Sequence, residues 1–158
     1  MDLNNLLVGD LSAGNEQVYS VSLPIGRLLQ VHNAGSDIGV QWQIRRANET
    51  AEWQTFNNNL SYFSSGDYEL RLRAESDTHY RLALLDMDAA PALSNTGASV
   101  LLADQQAVVY QLDVQQGQAL HLAVLADNPA SVGWTLLSSN SYGAIASSDQ
   151  ALESQYLK

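Results

Sequence analysis

The sequence predicts an all-β fold. Three observations carry that expectation. Apolar and polar residues alternate with a period of two, turn-forming residues fall at short intervals, and one frame of positions occurs twice along the chain. Half-exposed antiparallel strands produce such alternation, because successive side chains point to opposite faces of a sheet. Strands spaced this way belong to a sandwich or a barrel.

The first element is Val18 to Leu23, where Tyr19, Val21 and Leu23 alternate with small polar residues. Trp42 leads a further strand. Tyr68 to Arg73 alternates cleanly, with Glu69, Arg71 and Arg73 on the wet side. Tyr80 to Leu84, Tyr110 to Val114 and Leu120 to Val124 repeat the pattern, and Trp134 leads a last strand. Turns punctuate these runs at Ala13-Gly14-Asn15, Pro24-Ile25-Gly26, Asn33-Ala34-Gly35, Ser65-Gly66-Asp67, Ser76-Asp77, Gln116-Gly117 and Asp127-Asn128-Pro129. The best helix candidate is short, Asp149 to Leu157, with Ala151, Leu152 and Tyr156.

The repeat has a constant offset. Leu11, Tyr19, Val21, Leu23, Gly26 and Leu29 stand 91 residues before Leu102, Tyr110, Leu112, Val114, Gly117 and Leu120. Trp42 and Trp134 are 92 apart. The expected organisation is a complete module at 1–86, a linker at 87–92 and a second, partial module at 93–158. At the same spacing Lys158 stands opposite Gly66, so the second module lacks a counterpart of the hairpin that follows Gly66. Three explanations are open. The chain belongs to a longer one, the first choice; a partner supplies the strands; or Asp149 to Leu157 closes the core in another way.

Composition narrows the function classes. The chain has 158 residues, enough for one ordinary domain or two small ones. Hydrophobic residues make up 46%, which permits a buried core. Charged residues reach only 15%, so Gln, Asn, Ser and Thr must carry the polar surface. A net charge of −10 argues against nucleic acid and anionic membranes as partners. The absence of cysteine excludes disulfides, thiol catalysis and cysteine-bound metals. Met1 to Asp10 lacks the basic and apolar regions of a signal peptide, and no run approaches the roughly 20 apolar residues of a membrane helix.

Several stretches resemble a known family. Gly9 to Tyr19, a strand leading through a polar turn into a Tyr-led strand, resembles the opening of bacterial pre-peptidase C-terminal (PPC) domains. Ser65-Gly66-Asp67-Tyr68-Glu69-Leu70-Arg71-Leu72 is similar to their closing Gly-Thr-Tyr strand, and Tyr80 to Leu84 to their final strand. Leu85 to Leu93 looks like the linker between tandem copies in large secreted repeat proteins. The resemblance implies a jelly-roll-like antiparallel β-sandwich that serves as an accessory module of secreted or cell-surface bacterial proteins, without catalysis. It also implies calcium at acidic residues near the start of the domain in some members, and collagen or polysaccharide as ligand in others. The acid-rich opening is here reduced to Asp2-Leu3-Asn4-Asn5, and to Asp86 and Asp88 before the second module.

The candidate chemistry is sparse. His32, His79 and His121 show no metal-ligand spacing, with His79 in a turn, and no G-x-S-x-G elbow surrounds a serine. Asp86 and Asp88, with Asp10 or Asp2, are the candidate calcium ligands, against the alternative of a solvated acidic linker. Trp42 and Trp134 occupy equivalent places and read as core fillers. Trp53 has no equivalent. With Glu52, Gln54, Asn57, Asn58, Asn59 and Tyr62 it forms an aromatic and amide patch of the kind that grips sugars or peptides, the alternative being a half-covered edge tryptophan. Arg45, Arg46, Arg71, Arg73 and Arg81 are expected on exposed strand faces, available to the acids of a neighbouring module.

The expected function is a non-catalytic structural or adhesive module of a larger secreted or surface bacterial protein. Its partners would be the neighbouring domains of that chain. The alternative is a module that binds carbohydrate or extracellular matrix through the Trp53 and Tyr62 patch. A small hydrolase ranks below both.

Overall fold

The computed structural model describes residues 1–33, 40–50, 52–56, 60–94, 97–102, 106–115, 120–122, 132–138, 144–148 and 155–157. Regular structure among them is entirely β-strand, so no helix there is long and apolar enough to cross a membrane. Compactness divides the chain between Gln111 and Leu112.

The first unit is a sandwich of two four-stranded antiparallel sheets. One has the order β1 (Leu7–Leu11), β8 (Thr78–Asp86), β3 (Arg27–Asn33), β6 (Ser61–Phe63). The other has the order β2 (Glu16–Leu23), β7 (Gly66–Ala74), β4 (Val40–Arg46), β5 (Gln54–Thr55). Successive strands switch sheets at every connection except β4 to β5, which is the double-sheet jelly roll. The predicted jelly-roll-like sandwich is therefore the architecture of this unit.

Alternation sets which face is buried. On β7, Tyr68, Leu70, Leu72 and Ala74 point inward while Glu69, Arg71 and Arg73 face out. On β8, Tyr80, Leu82 and Leu84 do the same from the opposite sheet. These residues join Val21, Leu23, Leu29, Val31, Trp42 and Ile44 in one core cluster. Burying each leucine contributes on the order of 2 kcal/mol. A hydrogen bond between the Tyr19 and Tyr80 hydroxyls, 2.5 Å, ties the two sheets together at one edge. The β1–β2 turn needs Gly14, whose φ of 75° is in the left-handed region, and its amide donates to Ala74 O at 2.9 Å.

Segment 87–92, expected as a linker, is tied to the sandwich. Met87 N donates to Leu28 O at 2.9 Å, and Leu28 N donates to Asp88 Oδ2 at 2.7 Å. Further on, Gln111 N donates to Pro91 O and Leu93 N to Gln111 O, at 2.9 and 2.7 Å. These bonds draw the chain as far as Gln111 into the first unit.

In the second unit, β9 (Leu120–Leu122) pairs with β12 (Gln155–Leu157), and β10 (Trp134–Leu137) with β11 (Ala144–Ser148). The β10–β11 register matches Trp134 with Ser148, Thr135 with Ser147 and Leu136 with Ala146. In the first unit Phe56 N donates to Trp42 O, Gln43 pairs with Thr55 and Ile44 with Gln54. Every one of these partners is displaced by 92 residues. The β9–β12 pair does not keep this spacing: Leu29 stands opposite Ser61 and Leu120, 91 residues on, opposite Leu157, which is 96 residues after Ser61.

Two expectations are corrected. Residues 155–157 are a strand, not the end of a helix, because their backbone is taken up by the ladder with Leu120–Leu122; 149–154 lie outside the described residues. Residues 110–114 form no strand beyond an isolated bridge between Gln111 and Ala92. The alternation is present there, but a strand requires a partner.

Candidate functional site

The acidic candidates fall into separate places. Asp10 on β1 faces His79, which is the second residue of β8 rather than part of a turn, and accepts from its Nδ1 at 2.8 Å. Asp86 ends the same strand, seven residues further and roughly 23 Å away at ~3.3 Å per residue. Asp10 is exposed, whereas Asp86 is only 5% exposed. Asp86 Oδ2 meets Arg27 Nε at 3.4 Å, and Oδ1 accepts the backbone N–H of Asp88 and of Ala89, each at 3.1 Å. Asp88 Oδ2 takes the Leu28 N–H.

Calcium needs six to eight oxygens around one point. The carboxylates of Asp86 and Asp88 are instead committed to protein donors, and among the described residues no three His, Asp or Glu side chains converge. The residues present do not fit the ion. What Asp86 and Asp88 do is fold the chain leaving β8 back onto β3. Asp2 lies elsewhere, in an open hollow of about 490 Å³ on the outside of β2 and β7 beside Ser20, Ser22, Asp67 and Glu69.

The aromatic candidates also separate. Trp53 is half-buried, and two guanidinium groups sit over its ring: Arg45 Cζ is 4.3 Å and Arg71 Cζ 4.2 Å from the centroid. Both arginines are held from behind. Arg45 Nε and Nη2 bond Glu69 Oε2 at 2.7 Å, and Arg71 bonds Gln43 Oε1 and, at 3.4 Å, Glu16 Oε2. The guanidinium groups take ring surface that stacking on a sugar would need. Arg45 and Arg71, two of the five arginines expected on exposed faces, are thus paired within their own sheet. Sequence reading missed this arrangement because it depends on register: Arg45 stands opposite Glu69, and Arg71 opposite Gln43.

Tyr62 is different. It is 65% exposed and lines a groove of about 280 Å³ with Glu52, Gln54, Glu49, Arg46 and Ser64. The groove lies where β5 and β6, the last strands of their sheets, leave one side of the sandwich. Both strands are only two or three residues long, which leaves little ladder for another chain to extend. Arg46 is positioned by Ser65 O at 3.1 Å and by the Ser64 hydroxyl, with the Tyr68 ring 5.6 Å below it. An exposed ring beside two carboxylates, an amide and a guanidinium can stack on an apolar face and exchange hydrogen bonds with hydroxyls. Asn57 and Asn58 lie outside the described residues.

The Tyr19 hydroxyl is displaced from its ordinary titration. Burial, with a smaller contribution from the hydrogen bond and charge of Tyr80, pushes the Tyr19 hydroxyl well above the ordinary tyrosine value. It is held as a neutral partner inside the sandwich edge.

No family model and no curated protein matches the chain. Among solved structures, it is similar to the pre-peptidase C-terminal domain of a collagenase from Bacillus anthracis. The identity is 21% and the TM-score 0.40, over 52% of this chain and 89% of that one.

Proposed function

We propose that the chain is a non-catalytic structural module of a larger secreted or surface bacterial protein, in which tandem sandwiches space and orient neighbouring domains. The observation that carries this reading is the ladder of β10 and β11, which repeats that of β4 and β5 at a displacement of 92 residues. Two segments that keep the same cross-strand partners at one spacing are the pattern of repeated modules. The inward use of polar groups supports it too, since the arginines and Asp86 are engaged in holding strands and corners. The test is the size and location of the native polypeptide. A product far above 17.2 kDa in the medium or on the cell surface is expected; a 17.2 kDa product confined to the cytoplasm would refute the reading.

A second reading is favoured by Tyr62. Its exposure in a polar groove suits a polysaccharide or matrix ligand, an adhesive role compatible with the first. Titration calorimetry against polysaccharides and collagen is expected to show binding that Tyr62→Ala abolishes and Trp53→Ala weakens little. Binding indifferent to Tyr62 would remove the groove from consideration.

A further inference from the structure

Tyr62 is held in place without being buried. Its ring lies across Gly26, in the turn between β2 and β3. A Cβ built on Gly26 would fall 2.7 Å from Tyr62 Cζ and closer still to the hydroxyl oxygen. Gly26 is not one of the glycines with a left-handed φ, so what it supplies is space and not conformation. The strand fixes the backbone end of the side chain, because Tyr62 stands opposite Leu28 on β3. Yet the residue is 65% exposed. A ring pinned at the surface gains little stability from its place, but it loses little freedom when a ligand stacks on it.

The charges of the groove are unequally engaged. Arg45 is committed to Glu69 and to the Trp53 ring. Arg46 is committed to Ser64, to Ser65 O and to the Tyr68 ring. The carboxylates are held far less. Glu49 reaches Arg46 only at 4.0 Å, with side chains 52% and 41% exposed. Glu52 is exposed and enters no ion pair among the described residues. A free carboxylate and the face of an aromatic ring both attract cations. The net charge of −10 adds a long-range attraction of the same sign.

We infer that the Tyr62 groove takes a polysaccharide whose sugars carry free ammonium groups, and that Gly26 is the positioning residue that sets the Tyr62 ring for it. This narrows the second reading above and rests on it. The sugar stacks on the fixed ring, and its ammonium meets Glu52 and Glu49. A basic peptide suits the groove less. β5 and β6 are too short to extend by backbone pairing, whereas a pyranose presents a flat apolar face to the ring.

The test is calorimetry on the 158-residue chain at about pH 5.5, where the amine is protonated and a glutamate ionised. The probes are a glucosamine hexamer, its fully N-acetylated counterpart and hexalysine. The glucosamine hexamer is expected to bind about 10-fold tighter than the N-acetylated one. Glu52→Gln is expected to erase that preference without weakening the N-acetylated ligand. Glu75→Gln, just past the opposite end of β7, is expected to leave the preference intact. Gly26→Ala is expected to weaken both sugars about 10-fold while the thermal midpoint stays within a few degrees, since the group it displaces is the free end of a side chain. Undiminished affinity in Gly26→Ala would refute the positioning role. Equal losses in the Glu52 and Glu75 variants would reduce the preference to net charge and overturn the inference. Equal affinity for the two sugars, still lost in Tyr62→Ala, would overturn it while leaving the second reading intact. Tighter hexalysine binding that depends on Tyr62 would assign the groove to a basic peptide instead. Binding of no probe through Tyr62 would end both readings.

Discussion

Tyr19 shows how one side chain can carry both structure and a pH limit. Its hydroxyl is buried against that of Tyr80, so the proton is held more tightly in the folded chain than in the unfolded one. For an acid whose folded value is raised, the contribution to stability is complete below the unfolded value of about 10 and is lost as pH climbs above it. Thermal midpoints are therefore expected to fall above pH 10, and to fall less steeply in Tyr19→Phe. Asp86 makes a second case. Replacing it with Ala leaves the Asp88 and Ala89 N–H groups and Arg27 without their acceptor, at a cost of about 1–3 kcal/mol. A denaturant titration measures that loss. A chelator is expected to leave the midpoint of the parent protein unchanged, because these carboxylates serve protein donors. Neither role was legible in the sequence. Tyr19 read as one of an alternating set, and Asp86 as a candidate calcium ligand or, in the alternative, a linker charge. Only the fold brings Arg27 beside the end of β8.

At the scale of elements, β2, β7 and β8 were legible because each buries one face and exposes the other. Strands β5 and β6 were not, being too short to show a period. Residues 110–114 make the complementary point: their alternation is that of a strand, yet pairing is settled by what lies alongside. Position within the sheet also grades the importance of elements. β7 is flanked on both sides, so Leu70→Ala is expected to cost about 2–5 kcal/mol through lost burial and a residual cavity. The exposed Gln54→Ala on edge strand β5 is expected to change stability by less than about 0.5 kcal/mol. Chemical denaturation of the two variants side by side checks the contrast. The groove of Tyr62 follows from the same gradient, since it opens where the edge strands are shortest.

At the scale of the whole molecule, the eight strands of the first unit close a complete core, and the bonds from Met87 and Asp88 to Leu28 finish it. A chain ended after Ala90 is expected to fold and to melt within a few degrees of the first transition of the parent, as followed by circular dichroism. The doubling of the frame was visible in the spacing of Leu, Tyr, Gly and Trp, while its structural counterpart appears in the cross-strand partners of Trp42 and Trp134. One feature of the first unit bears on how such a module carries load. Asn4 N donates to Leu84 O, and Asn4 Oδ1 accepts from Asp86 N, both at 2.8 Å, so the strands that open and close the module leave it from the same end of an antiparallel pair. Tension applied through those two ends would break the β1–β8 bonds one after another, as a zip opens, instead of straining them all together. Pulled through those two ends, as the proposed tandem arrangement would pull it, the sandwich is expected to yield early and release its length in steps, a fuse in such a line and not its strongest link.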